Sequence, residues 1–109
     1  MNYLKKGFNP NYSEDAPTLE QLSAMAEDAI LEFGTPWCGH CQAAQPAVQE
    51  VLTRRAELSH IKIYDGKGKS LGRAFKVKLW PTLILLRNGK EIARIVRPTS
   101  AAQVSQLLT

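Results

Sequence analysis

Only two of the 109 residues are cysteine, Cys38 and Cys41, too few for a disulfide-stapled secreted scaffold. The loop they would close is minimal, whereas a structural disulfide stabilises mainly by closing a long loop in the unfolded chain. A staple is therefore excluded as their reason for being there. Long hydrophobic runs are missing too. No stretch approaches the roughly 18–20 apolar residues of a membrane-spanning helix, so no membrane association is expected. Met1 to Tyr12 carries Lys5 and Lys6 with no apolar segment behind them, so no intact secretory signal is predicted. Cytoplasmic residence is the default expectation, although an exported protein trimmed of its leader would read the same way. Repeats, low-complexity tracts and linkers are absent, and the length suits one domain of the usual size, about 100–150 residues.

Charge is present but uneven. Residues 1–59 hold four basic and eight acidic side chains, and residues 60–109 hold ten basic and two acidic, for a net +4 overall. The basic run Lys67, Lys69, Arg73, Lys76 and Lys78 lacks the regular interleaving of aromatic residues that stacks bases. It reads as a solvated face that biases partners by long-range attraction, and no nucleic-acid partner is expected.

Residues 1–17 are irregular, broken by Asn9-Pro10-Asn11 and Ala16-Pro17, and a single domain is expected over 18–109. Thr18 with Gln21 fits a capping box, ahead of a helical stripe at Leu19, Leu22 and Met25. Ala29 to Phe33 reads as a short buried strand. The next helix runs from about Cys38 to Arg55, with apolar residues at Ala44, Ala47, Val48, Val51 and Leu52. Arg54 and Arg55 are placed in its last turn, and Pro46 inside it removes the bond to the Gln42 carbonyl and should bend it. A strand at His60 to Tyr64 and a short helical segment near Ser70 to Phe75 follow. Thr82 to Leu86 and Lys90 to Val96 form a hairpin about Asn88-Gly89, and Ser100 caps a final helix. The order α-β-α-β-α-β-β-α predicts an α/β fold with a mixed sheet and helices on both faces.

The cysteines fall where a strand ends and a long helix begins. Unpaired N–H groups there favour a thiolate, so Cys38 is expected to have a lowered pKa and to be the exposed nucleophile. Cys41 lies on the same helix face one turn deeper, shielded and placed to resolve a mixed disulfide. A zinc half-site is the competing reading, but the further ligands on offer, His40 and His60, have no recognised spacing; no metal is expected. His40 between the cysteines adds positive charge beside the thiolate, which makes the disulfide more oxidising. Glu32 interrupts the otherwise apolar Ile30-Leu31-Glu32-Phe33. Burial there is expected to raise its pKa and make it a proton carrier near neutrality, aimed beneath the helix toward Cys41. Trp80-Pro81 precedes the hairpin, where the baseline favours a trans bond, cis being only about 5–6% of X–Pro bonds.

Taken together, Phe33-Gly34-Thr35-Pro36-Trp37-Cys38-Gly39-His40-Cys41 resembles the active-site run of protein disulfide isomerase catalytic domains, and Thr18 to Thr109 resembles the thioredoxin superfamily. The length and the simple hairpin-and-helix ending are similar to a small bacterial-type thioredoxin. The resemblance implies a thioredoxin fold with about four strands. It implies Cys38 as attacking thiol, Cys41 as resolving thiol, Glu32 at the buried acid, Pro46 at the helix kink and Pro81 at a cis-proline. It also implies that the residue before that proline pairs its backbone with substrate, so Trp37, Trp80 and Pro81 should line the substrate surface. The implied activity is protein thiol–disulfide exchange by a monomer, acting on protein disulfides or dithiols and recycled by a reductase or oxidant, with no cofactor beyond its own cysteines. A disulfide-forming or isomerising factor and a non-catalytic docking module are the alternatives.

Three departures from the pattern stand out. The usual first strand is not evident in residues 1–17. The lysine that partners the buried acid should share the parity of Ile61 and Ile63, which Lys62 does not, so a Glu32–Lys62 pair is not expected. Arg97 replaces the usual glycine beside the site, which should fill and charge that patch and favour acidic substrates.

Overall fold

Eight elements follow one another in the computed structural model, which describes residues 5–108: α1 (Leu19–Ser23), β1 (Ala29–Gly34), α2 (Gly39–Thr53), β2 (Ser59–Tyr64), α3 (Ser70–Ala74), β3 (Thr82–Arg87), β4 (Lys90–Val96) and α4 (Ala101–Leu107). Both ends of the chain as divided above, Met1–Leu4 and Thr109, lie outside the described residues. The order is the predicted one. Among the described residues no helix is long and apolar enough to cross a membrane.

The sheet runs β2-β1-β3-β4, with β1 parallel to β2 and the other two pairings antiparallel. All six residues of β1 are buried, because its two faces feed two cores. Ile30, Leu83 and Leu85 meet Val48, Leu52, Val104 and Leu107 of α2 and α4. Leu31, Phe33, Ile61, Ile63, Ile84 and Leu86 pack on the opposite face with Leu22 and Leu71 from α1 and α3. Burial on both faces is why these strands read as continuous apolar runs rather than alternating ones.

Local chemistry sets the ends of the elements. Thr18 and Gln21 form the capping box, Ser100 accepts from the Gln103 N–H, and Asn88 and Gly89 both take positive φ, 52° and 75°, as a two-residue hairpin turn of the I′ kind requires. α2 runs through Pro46 without interruption. Arg54 is its C-cap rather than part of its last turn, so both arginines stand just past the helix.

The segment preceding α1 is irregular but not loose. Gly7 donates to the Leu58 carbonyl at 2.8 Å, and the Lys5 carbonyl accepts from His60 at 2.7 Å. Further on, Ser13 bonds Lys62 and Tyr64 through its backbone, each at 3.0 Å. Two isolated bridges, Lys6 to Ser59 and Ser13 to Ile63, thus stand where a first strand would, and they cover the outer edge of β2. They also fix the course of residues 7–12 over the end of that strand, which decides the surroundings of the cysteines.

Candidate active site

Cys38 is the N-cap of α2, extended at φ −77° and ψ 123°, and its sulfur accepts the Cys41 N–H at 3.2 Å. Both cysteines are free thiols. Cys38 is buried rather than exposed as expected, at 9% exposure against 1% for Cys41, so only the order of depth holds. Burial, with the neighbouring Cys38, pushes the Cys41 thiol up to about 11, partly opposed by the Thr35 backbone and the Tyr12 hydroxyl. Gly34 is obligatory beneath them, because a Cβ there would lie 2.5 Å from the Cys41 sulfur and 2.6 Å from the Tyr12 hydroxyl.

Glu32 is completely buried, as expected, and faces α2. Its ionisation reverses the expectation. Burial pushes its pKa up, but the hydrogen bond from His60, the Lys62 charge and the Gln45 amide together hold it below the ordinary carboxylate value. The geometry explains this. Glu32 Oε1 is 2.8 Å from His60 Nε2, and Oε2 accepts from Tyr12 Oη at 2.9 Å and Gln45 Nε2 at 2.8 Å. His60 Nδ1 accepts the Asn9 backbone N–H at 2.8 Å, so the ring proton sits on Nε2 and is donated to Glu32. A carboxyl surrounded by donors is a carboxylate.

Lys62 falls on the Glu32 face, contrary to the parity expected, yet the two form no direct ion pair among the described residues. β1 and β2 pair with Glu32 directly beside Lys62, and neighbours across a parallel ladder project to one face. Ile30, Glu32, His60 and Lys62 therefore share the α2 side, while Ile61 and Ile63 belong to the other core with Leu31 and Phe33. The link from Lys62 runs through Gln45: Lys62 Nζ donates to Gln45 Oε1 at 2.7 Å, and Gln45 Nε2 donates to Glu32. Lys62 Nζ also donates to the Pro10 carbonyl at 3.1 Å and lies 4.2 Å from the centre of the Tyr12 ring. Burial lowers its pKa, against the Glu32 and Cys41 charges.

Above the sulfurs, Trp37 is 65% exposed and stands edge-on to Trp80 with ring centres 5.8 Å apart. Trp37 Nε1 donates to Tyr64 Oη and Trp80 Nε1 to Asp65 Oδ2, both at 2.9 Å. The Trp80-Pro81 bond is cis, as the family pattern implied and the baseline did not. Arg97 adopts a φ of 51°, a backbone region that favours glycine, and its Nε donates to the Trp80 carbonyl at 2.8 Å. His40 is exposed in the first turn of α2. His60, the other histidine weighed as a ligand, is buried on Glu32. Among the described residues no group of three or more His, Cys, Asp or Glu side chains is placed to hold a metal ion.

The sequence alone names Cys38, Cys41, Glu32, His40, Trp37, Trp80, Pro81 and Arg97 as candidates, weighs His60 only as a metal ligand, and does not single out Gln45 or Tyr12, which join His60 on Glu32. Gln45 lay within reach, four residues after Cys41 on one helix face. His60 shares a strand face with Lys62, two residues away. Nothing local singles out Tyr12, which arrives from a segment with no regular structure.

A cavity of about 130 Å³ opens beside this network, lined by Pro10, Tyr12, Thr35, Pro36, Cys41 and Lys62 among others. The Thirty-fifth residue also carries the one orphan among the described residues, since Thr35 Oγ1 is buried without a hydrogen-bond partner.

Comparison with known proteins agrees with this architecture. The Thioredoxin family model matches residues 12–109. Thioredoxin 2 from Pseudomonas aeruginosa PAO1, solved in its reduced form, is 48% identical and superposes with a TM-score of 0.83 over 93% of this chain and 94% of that one. The thioredoxin of Mycobacterium tuberculosis (strain H37Rv) is 31% identical over 75% of this chain and 72% of its own length. Rice thioredoxin H2-2 is 33% identical over 62% of this chain, and the match spans only half of that longer protein. With the four-stranded mixed sheet, the Cys38–Cys41 pair at the head of α2 and a family match over nearly the whole chain, the chain belongs to the thioredoxin family.

Proposed function

We propose that this protein is a thiol–disulfide oxidoreductase that reduces protein disulfides through Cys38 and Cys41. The observation that carries the reading is the unequal placement of the two sulfurs: Cys38 caps a helix N-terminus with the Cys41 N–H on its sulfur, and Cys41 lies a turn deeper beside the Tyr12 hydroxyl above Gly34. The nucleophile in such an exchange is a thiolate, and Cys38 carries the sulfur that faces the helix-start N–H. That thiolate attacks one sulfur of a substrate disulfide and releases the other as a thiol. Cys41 then attacks the Cys38 sulfur, closes the Cys38–Cys41 disulfide and frees the second substrate thiol. A recycling reductase returns two electrons. The cysteines are the whole redox apparatus, without metal or organic cofactor, and the protein works as a monomer in the cytoplasm.

Trp37, Trp80 and Pro81 form the substrate surface in this reading. Arg97 occupies the Trp80 carbonyl, so an incoming peptide strand exchanges its own N–H for the guanidinium there. The displaced charge then favours acidic substrates. His40, exposed one residue from Cys41 and two from Cys38, supports a second reading, a disulfide-forming or isomerising factor, because a cation beside the thiolate raises the reduction potential.

Insulin reduction by the wild type and by Cys38→Ser tests the main reading, and equal rates would sink it. Equilibration against glutathione buffers decides between the two directions. A potential near about −270 mV supports a reductase, and one near about −180 mV supports the isomerase-like reading.

A further inference from the structure

Tyr12 reaches the two groups on which the second half of the reaction depends. Its hydroxyl donates to Glu32 Oε2 at 2.9 Å and stands beside the Cys41 sulfur, the two bordering the same space above Gly34. The same two atoms, the Cys41 sulfur and the Tyr12 oxygen, crowd the space above Gly34 where any other residue would place a Cβ. The chain leaves that position bare, and the phenol fills it. The ring is held from three sides. Lys62 Nζ lies 4.2 Å from its centre, Ser13 is tied by backbone bonds to β2, and Asn9 is bonded to His60. Burial and the Glu32 charge push the Tyr12 pKa upward, so the phenol stays protonated and able to donate.

We propose that Tyr12 is the proton relay between Cys41 and Glu32 during release of the mixed disulfide. This deepens the oxidoreductase reading and rests on it. As the Cys41–Cys38 sulfur bond forms and the bond from Cys38 to the substrate sulfur breaks, the Cys41 proton passes to the Tyr12 oxygen. The Tyr12 proton passes to Glu32 Oε2 in the same movement. The electron pair of the broken bond leaves on the substrate sulfur, which is protonated from water. Tyr12 begins and ends neutral, and Glu32, a carboxylate at rest, gives the proton back through the Tyr12 hydroxyl, which lines the neighbouring cavity and hands it to solvent. Glu32 retains the His60 and Gln45 hydrogen bonds throughout, so the carboxyl does not lose its place. The groups facing this path are Glu32 from β1, His60 and Lys62 from β2, and Cys38 and Cys41 from α2.

Tyr12→Phe removes the hydroxyl and keeps the ring. Reaction with 5,5′-dithiobis(2-nitrobenzoate) reads the two steps separately, because attack by Cys38 releases one coloured thiolate and closure by Cys41 releases the second. That leaving group needs no proton, so the second phase isolates the fate of the Cys41 proton. Positioned proton transfer contributes about 10²–10⁴-fold, and water in the cavity replaces part of it, so the second phase is expected to slow by about 10–100-fold. The first phase should be unchanged. The second phase should also become steeply pH-dependent in Tyr12→Phe, rising toward high pH as hydroxide takes over, and should be flatter in the wild type. A variant that only loosened the fold would not separate the phases or change the pH profile. Equal second-phase rates for Tyr12→Phe and wild type between about pH 6 and about pH 9 would overturn the relay. Undiminished insulin reduction by Cys38→Ser would overturn the oxidoreductase reading itself, so the two failures are distinct.

Discussion

Replacing Glu32 by glutamine keeps its shape and removes its charge, and the surrounding geometry allows no arrangement that satisfies the new amide. With its oxygen toward His60 Nε2, its N–H₂ group meets Gln45 Nε2 and the Tyr12 hydroxyl. Tyr12 accommodates this by accepting, but Gln45 does not, because turning its amide would aim Nε2 at Lys62 Nζ. With the new amide reversed, its N–H₂ faces the His60 N–H, and moving that proton to Nδ1 would orphan the Asn9 N–H. One buried donor therefore meets a donor in every arrangement, at about 1–3 kcal/mol. Lys62, linked to Glu32 through Gln45, also loses the negative charge it faces. We expect Glu32→Gln to be destabilised by about 3 kcal/mol at neutral pH. At roughly 4–6 °C per kcal/mol for a domain of this size, its Tm should fall by about 10–20 °C.

The acid dependence supplies a second readout. The folded pKa of Glu32 lies below its ordinary value of 4.5, so its stabilisation is complete above 4.5 and is lost as the pH falls through the lower folded value. Glutamine carries no such dependence. Urea unfolding of the reduced proteins from about pH 7 to about pH 3 should show the gap between wild type and Glu32→Gln narrowing below the ordinary carboxylate range. A gap under about 1 kcal/mol at neutral pH, or one that stays constant on acidification, would refute the assignment of Glu32 as a buried, hydrogen-bonded carboxylate.

Gly34→Ala places a methyl between the Cys41 sulfur and the Tyr12 hydroxyl, so thermal unfolding should show a loss of about 1–3 kcal/mol, with slower closure of the Cys38–Cys41 disulfide. Arg97→Gly relieves the positive φ but gives up the hydrogen bond to Trp80, so its stability should change by less than about 1 kcal/mol. Its kcat/KM preference for an acidic over a basic disulfide peptide should fall by about fivefold, the size of one exposed charge pair; an unchanged ratio would remove Arg97 from substrate selection.

Local chemistry carried most of the architecture. The Thr18–Gln21 box, the Asn88-Gly89 turn and the Ser100 cap each act within four residues, and each forms as their side chains dictate. The placement of Cys38 and Cys41 was legible for a similar reason, since their position at a helix start follows from the strand-then-helix pattern around them. The ionisation of Glu32 was not. Its burial follows from the apolar run it interrupts, but its charge depends on which donors face it. Those come from His60 and Lys62 through the register of β1 on β2, from Gln45 across the helix, and from Tyr12 out of an irregular segment. A shift of one residue in that register would send His60 and Lys62 to the opposite core and leave the carboxyl without them. The sequence by itself thus determined the order of elements and the reactive pair. Only the tertiary structure decided the ionisation of Glu32, because pairing register and long-range contacts set the surroundings of a buried charge.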